Sequence, residues 1–195
     1  AADASEADVI VCRQVLEHIE APAQFLRDIR ESIGPGTLIL FEVPNGKWCF
    51  GGGGIWDVIY EHCGYFTESS LRALFTHQGF RVEEIAKTFG GQFLTIVATT
   101  GGGALGAVAT DADGQLSGEV QQLKRAARAI LREHDAWRSK LHALADRAGP
   151  IVIWGAGSKG VTFLNIADSE RRIEFAVDLN PKKAGRYIPS SGQLV

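Results

Sequence analysis

The alternation of short, strand-like apolar runs with a segment of helical periodicity constrains the fold of this chain more than any other feature of its sequence. Asp8 to Val15 is apolar and β-branched without the alternation of a half-exposed strand, which is typical of a strand buried on both faces. Pro22 stands at a first helical position, and apolar residues recur at helical spacing as far as Gly34. Thr37 to Val43 is strand-like again. The order strand, helix, strand predicts an α/β fold with a parallel sheet.

The following segment predicts a loop, a helix and a hairpin. Pro44 to Gly54 contains a run of four glycines and predicts a mobile loop. Thr67 can cap a helix, which a strand pattern follows. Gly90 and Gly91 then turn the chain into Phe93 to Ala98, which predicts an antiparallel hairpin at the edge of the sheet.

The rest of the chain predicts a domain boundary, a long helix and a second α/β unit. We assign residues 1–99 to a first domain and residues 100–117, which show no periodicity, to a linker. Residues 118–149 carry apolar side chains at alternating steps of three and four and predict one long helix. That stripe fits either packing on adjacent domains or a coiled-coil homodimer. Residues 150–195 have the pattern of the start of a Rossmann-like domain.

Composition argues against several classes of function. The formal net charge is -3 with both signs interspersed, so there is no basic stripe to bind nucleic acid. No apolar run approaches the ~20 residues that cross a bilayer, so we expect no membrane partner and a cytoplasmic location. Cys12, Cys49 and Cys63 are far apart, which predicts neither a disulfide nor a metal site.

A glycine-rich turn opens the last domain. Gly155, Gly157 and Gly160 lie between a predicted strand and a predicted helix, and Asp178 stands near the end of the next strand. This is the context of a dinucleotide-binding loop, where a helix N-terminus and close backbone approach favour a phosphate. Lys159 lies within the same loop. The glycines would also serve a tight strand-to-helix turn that binds nothing.

A histidine follows the first predicted strand. The stretch from Arg13 to Ile19 contains His18 and resembles the post-strand motif of class I methyltransferases, in which this loop lies beside the sulfonium of the cofactor. The Pro35-Gly36 turn and the stretch from Glu42 to Asn45 match the same superfamily pattern. The alternative is that His18 caps or packs a helix and has no chemical role.

A second histidine lies in a short stretch rich in reactive side chains. Tyr60, Glu61, His62 and Tyr65 follow the glycine loop directly. An imidazole can take a proton from the carbon beside a carbonyl when a donor stabilises the enolate oxygen, and His62 and Tyr60 have that chemistry. In the alternative, Tyr65 belongs to the core and His62 is an exposed loop residue.

Together these stretches resemble the three-domain sugar C-methyltransferases, which methylate a nucleotide-linked 4-keto-deoxyhexose. The most specific segments are Glu61 to Phe66 and Gly155 to Pro189. The resemblance implies a partial class I methyltransferase sheet, S-adenosylmethionine (SAM) as cofactor and a nucleotide-sugar substrate. It assigns the removal of a proton to His62, with Glu61 and Tyr60 as further catalytic residues.

The remaining candidates divide into two groups. We assign cofactor binding to Arg13, His18 and Asn45. We assign substrate binding to Tyr65, Gly155, Gly157, Lys159, Gly160 and Asp178.

The resemblance also implies parts that this sequence does not contain. No glycine-rich loop follows a strand upstream of Asp8, and no cysteine-rich zinc module precedes it, so we expect a truncated chain that binds SAM poorly. An unprotected strand at Asp8 to Val15 would favour a homodimer or aggregation through that edge. Two rival functions are an NAD(P)-dependent oxidoreductase built on the Gly155 loop and a non-catalytic module that binds a nucleotide sugar.

Overall fold

The structure is a computed structural model that describes residues 4–51, 58–59, 61–101, 112–147 and 149–195, and of 112–117 the backbone only. These residues form two compact units. The first extends to Leu123 and leaves out the segment 52–60, and the second contains Lys124 to Val195. Each unit is described by itself below.

Helices and strands alternate along much of the chain. Their bounds are as follows: β1 Val9–Arg13, α1 Pro22–Ser32, β2 Leu38–Pro44, α2 Gly46–Phe50, α3 Glu68–His77, β3 Phe80–Thr88, β4 Phe93–Thr100, α4 Ala112–Ala145, β5 Ile151–Trp154, α5 Ser158–Ile166 and β6 Ile173–Val177. Short 3-10 turns add Leu16–His18 and Phe89–Gly91.

The first unit is built on a mixed sheet with the strand order β1-β2-β4-β3. β1 and β2 are parallel and are connected through α1, which confirms the predicted βαβ unit. β3 and β4 form the predicted antiparallel hairpin, and β4 also pairs antiparallel with β2. The predicted α/β class is therefore confirmed, and the hairpin completes one side of the sheet.

A single apolar cluster holds the first unit together. It joins buried side chains of the sheet to Leu26 of α1 and to Leu71 and Phe75 of α3. The rings of Phe41 on β2 and Phe75 lie 5.3 Å apart, edge to face. Thr67 caps α3 as the sequence predicts, because its hydroxyl accepts a hydrogen bond from the backbone N–H of Ser70.

The prediction that the first strand is buried on both faces is wrong. Val9 and Val11 are exposed, whereas Ile10 and Cys12 pack against the core. The reason is that all the residues of β1 are apolar except Arg13, so its sequence hides the alternation of its two faces. Within the described residues β1 pairs with β2 alone and forms an edge of the sheet.

The predicted mobile loop at Pro44 to Gly54 is partly helical. α2 begins at Gly46 because the side chain of Asn45 accepts a hydrogen bond from the backbone N–H of Lys47. Residues 52–57, which contain the rest of the glycine run, lie outside the described residues.

The second unit consists of the later part of α4 and a βαβ unit. β5 and β6 are parallel and flank α5, which confirms the strand-helix-strand prediction. Trp137 of α4 contacts Phe163 of α5 with ring centroids 5.0 Å apart, and Leu141 joins the same apolar cluster as Leu164. α4 is the predicted long helix, but it begins at Ala112 and so includes the end of the predicted linker.

No disulfide joins the three cysteines, all of which lie in the described part of the chain. The described helices include none that is both long enough and apolar enough to span a bilayer.

Candidate active site

The candidate site lies at the carboxyl end of the parallel strands β1 and β2. A bridge between Asn45 and Phe66 and a 2.7 Å hydrogen bond from the Gly46 N–H to the Phe66 carbonyl dock the later segment beside the end of β2. The 3-10 turn at Leu16–His18 follows β1 at the same edge. Open α/β sheets bind ligands at this edge, because loops rather than paired strands line it.

Backbone hydrogen bonds hold the two histidine segments together. The carbonyl of Glu17 accepts from the N–H groups of Cys63 and Gly64, at 2.7 and 3.1 Å. The Cys63 thiol also lies 3.6 Å from the His18 carbonyl. His18 and His62, which are 44 positions apart in the sequence, therefore become neighbours.

The imidazole of His18 has a defined tautomer. Its Nδ1 lies 3.0 Å from the backbone carbonyl of Glu61, which can only accept, so Nδ1 is the donor. In the neutral ring Nε2 is then an acceptor. The turn at Leu16–His18 and α1 have no side-chain cap, so His18 caps neither of them, and the alternative that His18 only packs stays open beside its predicted role.

His62 lies against His18 and Tyr65. Its ring centroid is 4.8 Å from that of His18, edge to face, and 5.9 Å from that of Tyr65. Its Nδ1 is buried and has no hydrogen-bond partner among the described residues. Partial burial lowers the pKa of His62, and the neighbouring His18 lowers it further, while Glu61 opposes the shift. Its surroundings therefore favour the neutral form of the His62 ring, and its role as a base stays a prediction.

Sequence reasoning missed the buried carboxyl of Glu17. The residue is 1% exposed, and among the described residues neither side-chain oxygen has a hydrogen-bond partner beyond a weak contact with the backbone of Glu17 itself. Burial raises the pKa of Glu17, and Glu42 adds to the rise, while a backbone hydrogen bond and His18 oppose it. Its position directly before His18 was the available signal, but the sequence does not reveal that its side chain turns inward.

Two predicted cofactor-binding side chains make strong local hydrogen bonds. The Arg13 guanidinium donates twice to a carboxylate oxygen of Glu42, at 3.0 and 3.1 Å. The Asn45 side chain accepts from the Lys47 N–H and donates to the Gly91 carbonyl at 2.8 Å. These bonds fix the ends of β1 and β2, and cofactor binding by either residue stays a prediction.

The predicted catalytic group is only partly brought together. Glu61 is exposed and contributes its backbone carbonyl to His18. Tyr65 packs between His62 and Phe50, whose ring centroid is 4.9 Å away. Tyr60 lies outside the described residues, so its predicted role stays a prediction.

The glycine turn of the second unit is required by the fold itself. Gly155 has a φ of +108°, which L side chains rarely adopt, and a Cβ at Gly160 would overlap the Gly155 carbonyl oxygen. Gly157 has open space around its Cα. Two of the three glycines therefore have a structural reason that needs no ligand.

The carboxylate of Asp178 stabilises this turn through hydrogen bonds. One of its oxygens accepts from the Ala156 N–H at 2.8 Å and from Lys183 Nζ at 2.9 Å, and the other accepts from the Asn180 N–H. These bonds lower the pKa of Asp178 to about 2, with the Asn180 N–H as the largest cause. Lys183 was missed by sequence reasoning. Lys159, the basic residue that was predicted, lies on the first turn of α5.

One group of side chains in the described residues has metal-ligand chemistry. Glu17, His18 and His62 each offer a ligand atom, and these atoms lie within 4.8 Å of one another. Two bonds of about 2.1 Å to one ion span at most about 4.2 Å, so a pair of ligand atoms at the upper limit of 4.8 Å would have to move closer to share a metal.

Comparison with protein families gives two matches that together cover nearly the whole chain. Residues 1–85 match the family described as "Methyltransferase domain". Residues 99–193 match the family described as "C-methyltransferase C-terminal domain". Both are methyltransferase families. The resemblance stated from the sequence is thus confirmed at the level of methyltransferase domains.

Among solved structures, similar folds cover about half of the chain. TnmH is 21% identical over 50% of this chain and 31% of its own, with a TM-score of 0.43. Human N-acetylserotonin methyltransferase in complex with SAM is 21% identical over 52% of this chain and 32% of its own, with a TM-score of 0.43. The CurJ carbon methyltransferase is 16% identical over 51% and 31%, with a TM-score of 0.37. This chain spans about a third of the length of these proteins. A comparison with curated proteins gives no match.

Proposed function

We propose that this chain is part of a SAM-dependent C-methyltransferase that acts on a nucleotide-linked keto-deoxysugar. The observation that supports this most is the pair of neighbouring imidazoles at the carboxyl edge of β1 and β2, with ring centroids 4.8 Å apart. The family match to a C-methyltransferase C-terminal domain favours carbon as the methyl acceptor. The same match favours a methyltransferase over an NAD(P)-dependent oxidoreductase.

In the proposed reaction, His62 removes a proton from the carbon beside the ketone of the substrate. The electron pair of the broken C–H bond delocalises onto the ketone oxygen, and the imidazole becomes an imidazolium. A base needs a free lone pair at working pH, and the lowered pKa of His62 supplies it. The carbon of the resulting enolate is the nucleophile that accepts the methyl group.

SAM, when bound, supplies an electrophilic methyl group for that carbon. The described residues fit such a ligand in part. His18 is exposed at the edge of the sheet and the Nδ1 of His62 is buried without a partner, whereas the side chains of Arg13 and Asn45 already have partners. Among the described residues, His18 and His62 are therefore the best placed to contact bound SAM.

We further propose that the second unit binds the nucleotide part of the substrate. No side chain caps α5, whose N-cap residue is Gly157, and the N-terminus of a helix favours a phosphate. Lys159 lies on the same turn and adds a positive charge. Asp178 and Lys183 hold the loop in shape and act as structural residues in this proposal.

The test is methyl transfer by the complete protein that contains this chain. It uses SAM labelled in its methyl group and a set of 4-keto nucleotide sugars, with the product carbon located by NMR. We expect label on a carbon next to the ketone, and a loss of at least about a hundredfold with His62→Gln. The variant His77→Gln is the control, because His77 lies on α3 and bonds the carbonyl of Ala73. Full activity of His62→Gln would contradict the proposal.

A further inference from the structure

The carboxyl of Glu17 is buried beside the two histidines. One ligand atom from each of Glu17, His18 and His62 lies within 4.8 Å of the others. Glu17 is 1% exposed, and among the described residues its oxygens have no hydrogen-bond partner beyond a weak contact with the backbone of Glu17 itself. Such a group is costly to bury unless it interacts with something in its surroundings.

The sequence predicts the other glutamate, Glu61, as the acidic partner of His62. Glu61 is exposed, and its backbone rather than its carboxylate contacts His18. A charge in water is strongly screened, whereas screening is weaker for buried and partly buried charges. Glu61 raises the pKa of His62 from the surface. Glu17, whose buried carboxyl lies within 4.8 Å of a ring nitrogen of His62, is a second carboxylate that can respond to a proton on that ring.

The groups that face this pair come from every element around it. β1 contributes Cys12, whose pKa is raised by burial and by Glu17, and β2 contributes Glu42. Glu42 forms an ion pair with Arg13, at 3.0 Å. His18 faces both Glu17 and His62, and Glu61 acts on His62 from outside. The described cation of this neighbourhood, Arg13, is thus already paired, which leaves an imidazolium as the natural counter-charge of Glu17.

We infer that Glu17 is the positioning residue of His62: its carboxylate compensates the positive charge that the imidazole gains when it takes the substrate proton. The proton moves from the substrate carbon to His62 and is not passed on to Glu17. The carboxylate of Glu17 therefore keeps its negative charge during proton removal. The carboxylate can do this only above its own raised pKa, so proton removal falls off on the acidic side as Glu17 becomes neutral. The role in catalysis rests on the proposed function, whereas the electrostatic coupling does not.

The coupling is tested by NMR on the 195-residue chain, with the pKa of each histidine followed by its ring signals. Glu17→Gln removes the negative charge, so we expect the pKa of His62 to fall by about 0.5 to 1 unit. Glu61→Gln is the matched control and should change it by less than half as much. His77 should not move in either variant. An unchanged pKa of His62 in Glu17→Gln, or an equal fall in Glu61→Gln, would overturn the inference.

A second measurement leaves Glu17 in place, in case its replacement prevents folding. The carboxyl carbon of Glu17 is titrated in the native chain and in His62→Gln. Because coupling is reciprocal, the loss of an imidazolium at low pH should raise the pKa of Glu17. A pKa of Glu17 that is the same in both proteins would overturn the inference. Both readings are independent of methyl transfer, so they can fail while the proposed function holds.

In the active complete protein, the same idea predicts a change in the pH profile. Glu17→Gln should lower the rate of proton removal about tenfold or more and move the acidic limb to lower pH. Glu17→Asp, which keeps the charge on a shorter side chain, should recover part of the rate. A Glu17→Gln profile with the native acidic limb would contradict the inference, because a purely structural role would lower the rate without moving that limb.

Discussion

At the residue scale, the candidate site depends on buried groups whose neighbours lie far away in sequence. His18 and His62 could each be selected from the sequence, because the stretches that contain them resemble methyltransferase motifs. Glu17 could not, since its importance comes from burial of its side chain and from the approach of the segment Glu61–Gly64. Sequence shows which side chains are reactive, but not which of them are removed from water.

A first prediction concerns the glycine turn of the second unit. Gly160→Ala should destabilise the chain by about 1–3 kcal/mol, because the added Cβ overlaps the backbone carbonyl of Gly155 and the turn must shift. Gly157→Ala is the matched control, since a Cβ there meets nothing within 4 Å. Urea unfolding monitored by tryptophan fluorescence gives both values. Equal stabilities of the two variants would contradict this explanation of the turn.

At the element scale, local signals in the sequence were reliable where they fixed backbone geometry. The cap at Thr67 and the glycines at Gly90 and Gly91 correctly predicted α3 and the β3–β4 hairpin. α2 was missed because the four glycines after it dominate the local pattern. The faces of β1 were missed because nearly all of its side chains are apolar.

A second prediction concerns the early part of α4. Glu119 forms a 2.7 Å ion pair with Lys47 and accepts hydrogen bonds from Thr67 and Ser69, so it ties α4 to α2 and α3 within the first unit. Desolvation alone would raise the pKa of Glu119, but these bonds outweigh it and lower the pKa. Glu119→Gln should cost about 1–3 kcal/mol of stability at pH 7.

The pH dependence of the stability lost in Glu119→Gln tests whether the charge of Glu119 causes that loss. Because the folded pKa of Glu119 lies below its ordinary value of 4.5, its stabilisation is present above that value and is lost as pH falls through the folded pKa. The difference in unfolding free energy between native chain and variant should therefore shrink from pH 7 towards pH 3. A constant difference for Glu119→Gln would refute the assignment.

At the scale of the whole molecule, the sheet has an exposed edge. Val9 and Val11 on β1 are 51% and 59% exposed, and β1 pairs only with β2 among the described strands. An unprotected strand edge offers backbone groups to another chain. We therefore expect this 195-residue chain to self-associate, as its sequence also predicts.

Val11→Lys should reduce that association, because a charged side chain on an edge strand opposes strand pairing. The weight-average mass from light scattering over a range of concentrations measures it. Leu144→Lys tests the rival coiled-coil dimer, because Leu144 lies on the apolar stripe of α4 and is 47% exposed. Dissociation by Leu144→Lys but not by Val11→Lys would place the interface on the helix instead.

The central claim is that His62 removes a proton from the carbon beside a ketone. The direct measurement is the exchange of that proton for deuterium in heavy water, which NMR follows on a 4-keto nucleotide sugar. The complete protein is used under conditions in which no methyl group is transferred. The account predicts that exchange is catalysed by the native protein and by His77→Gln, and that it is lost in His62→Gln. Exchange at the native rate in His62→Gln would contradict it.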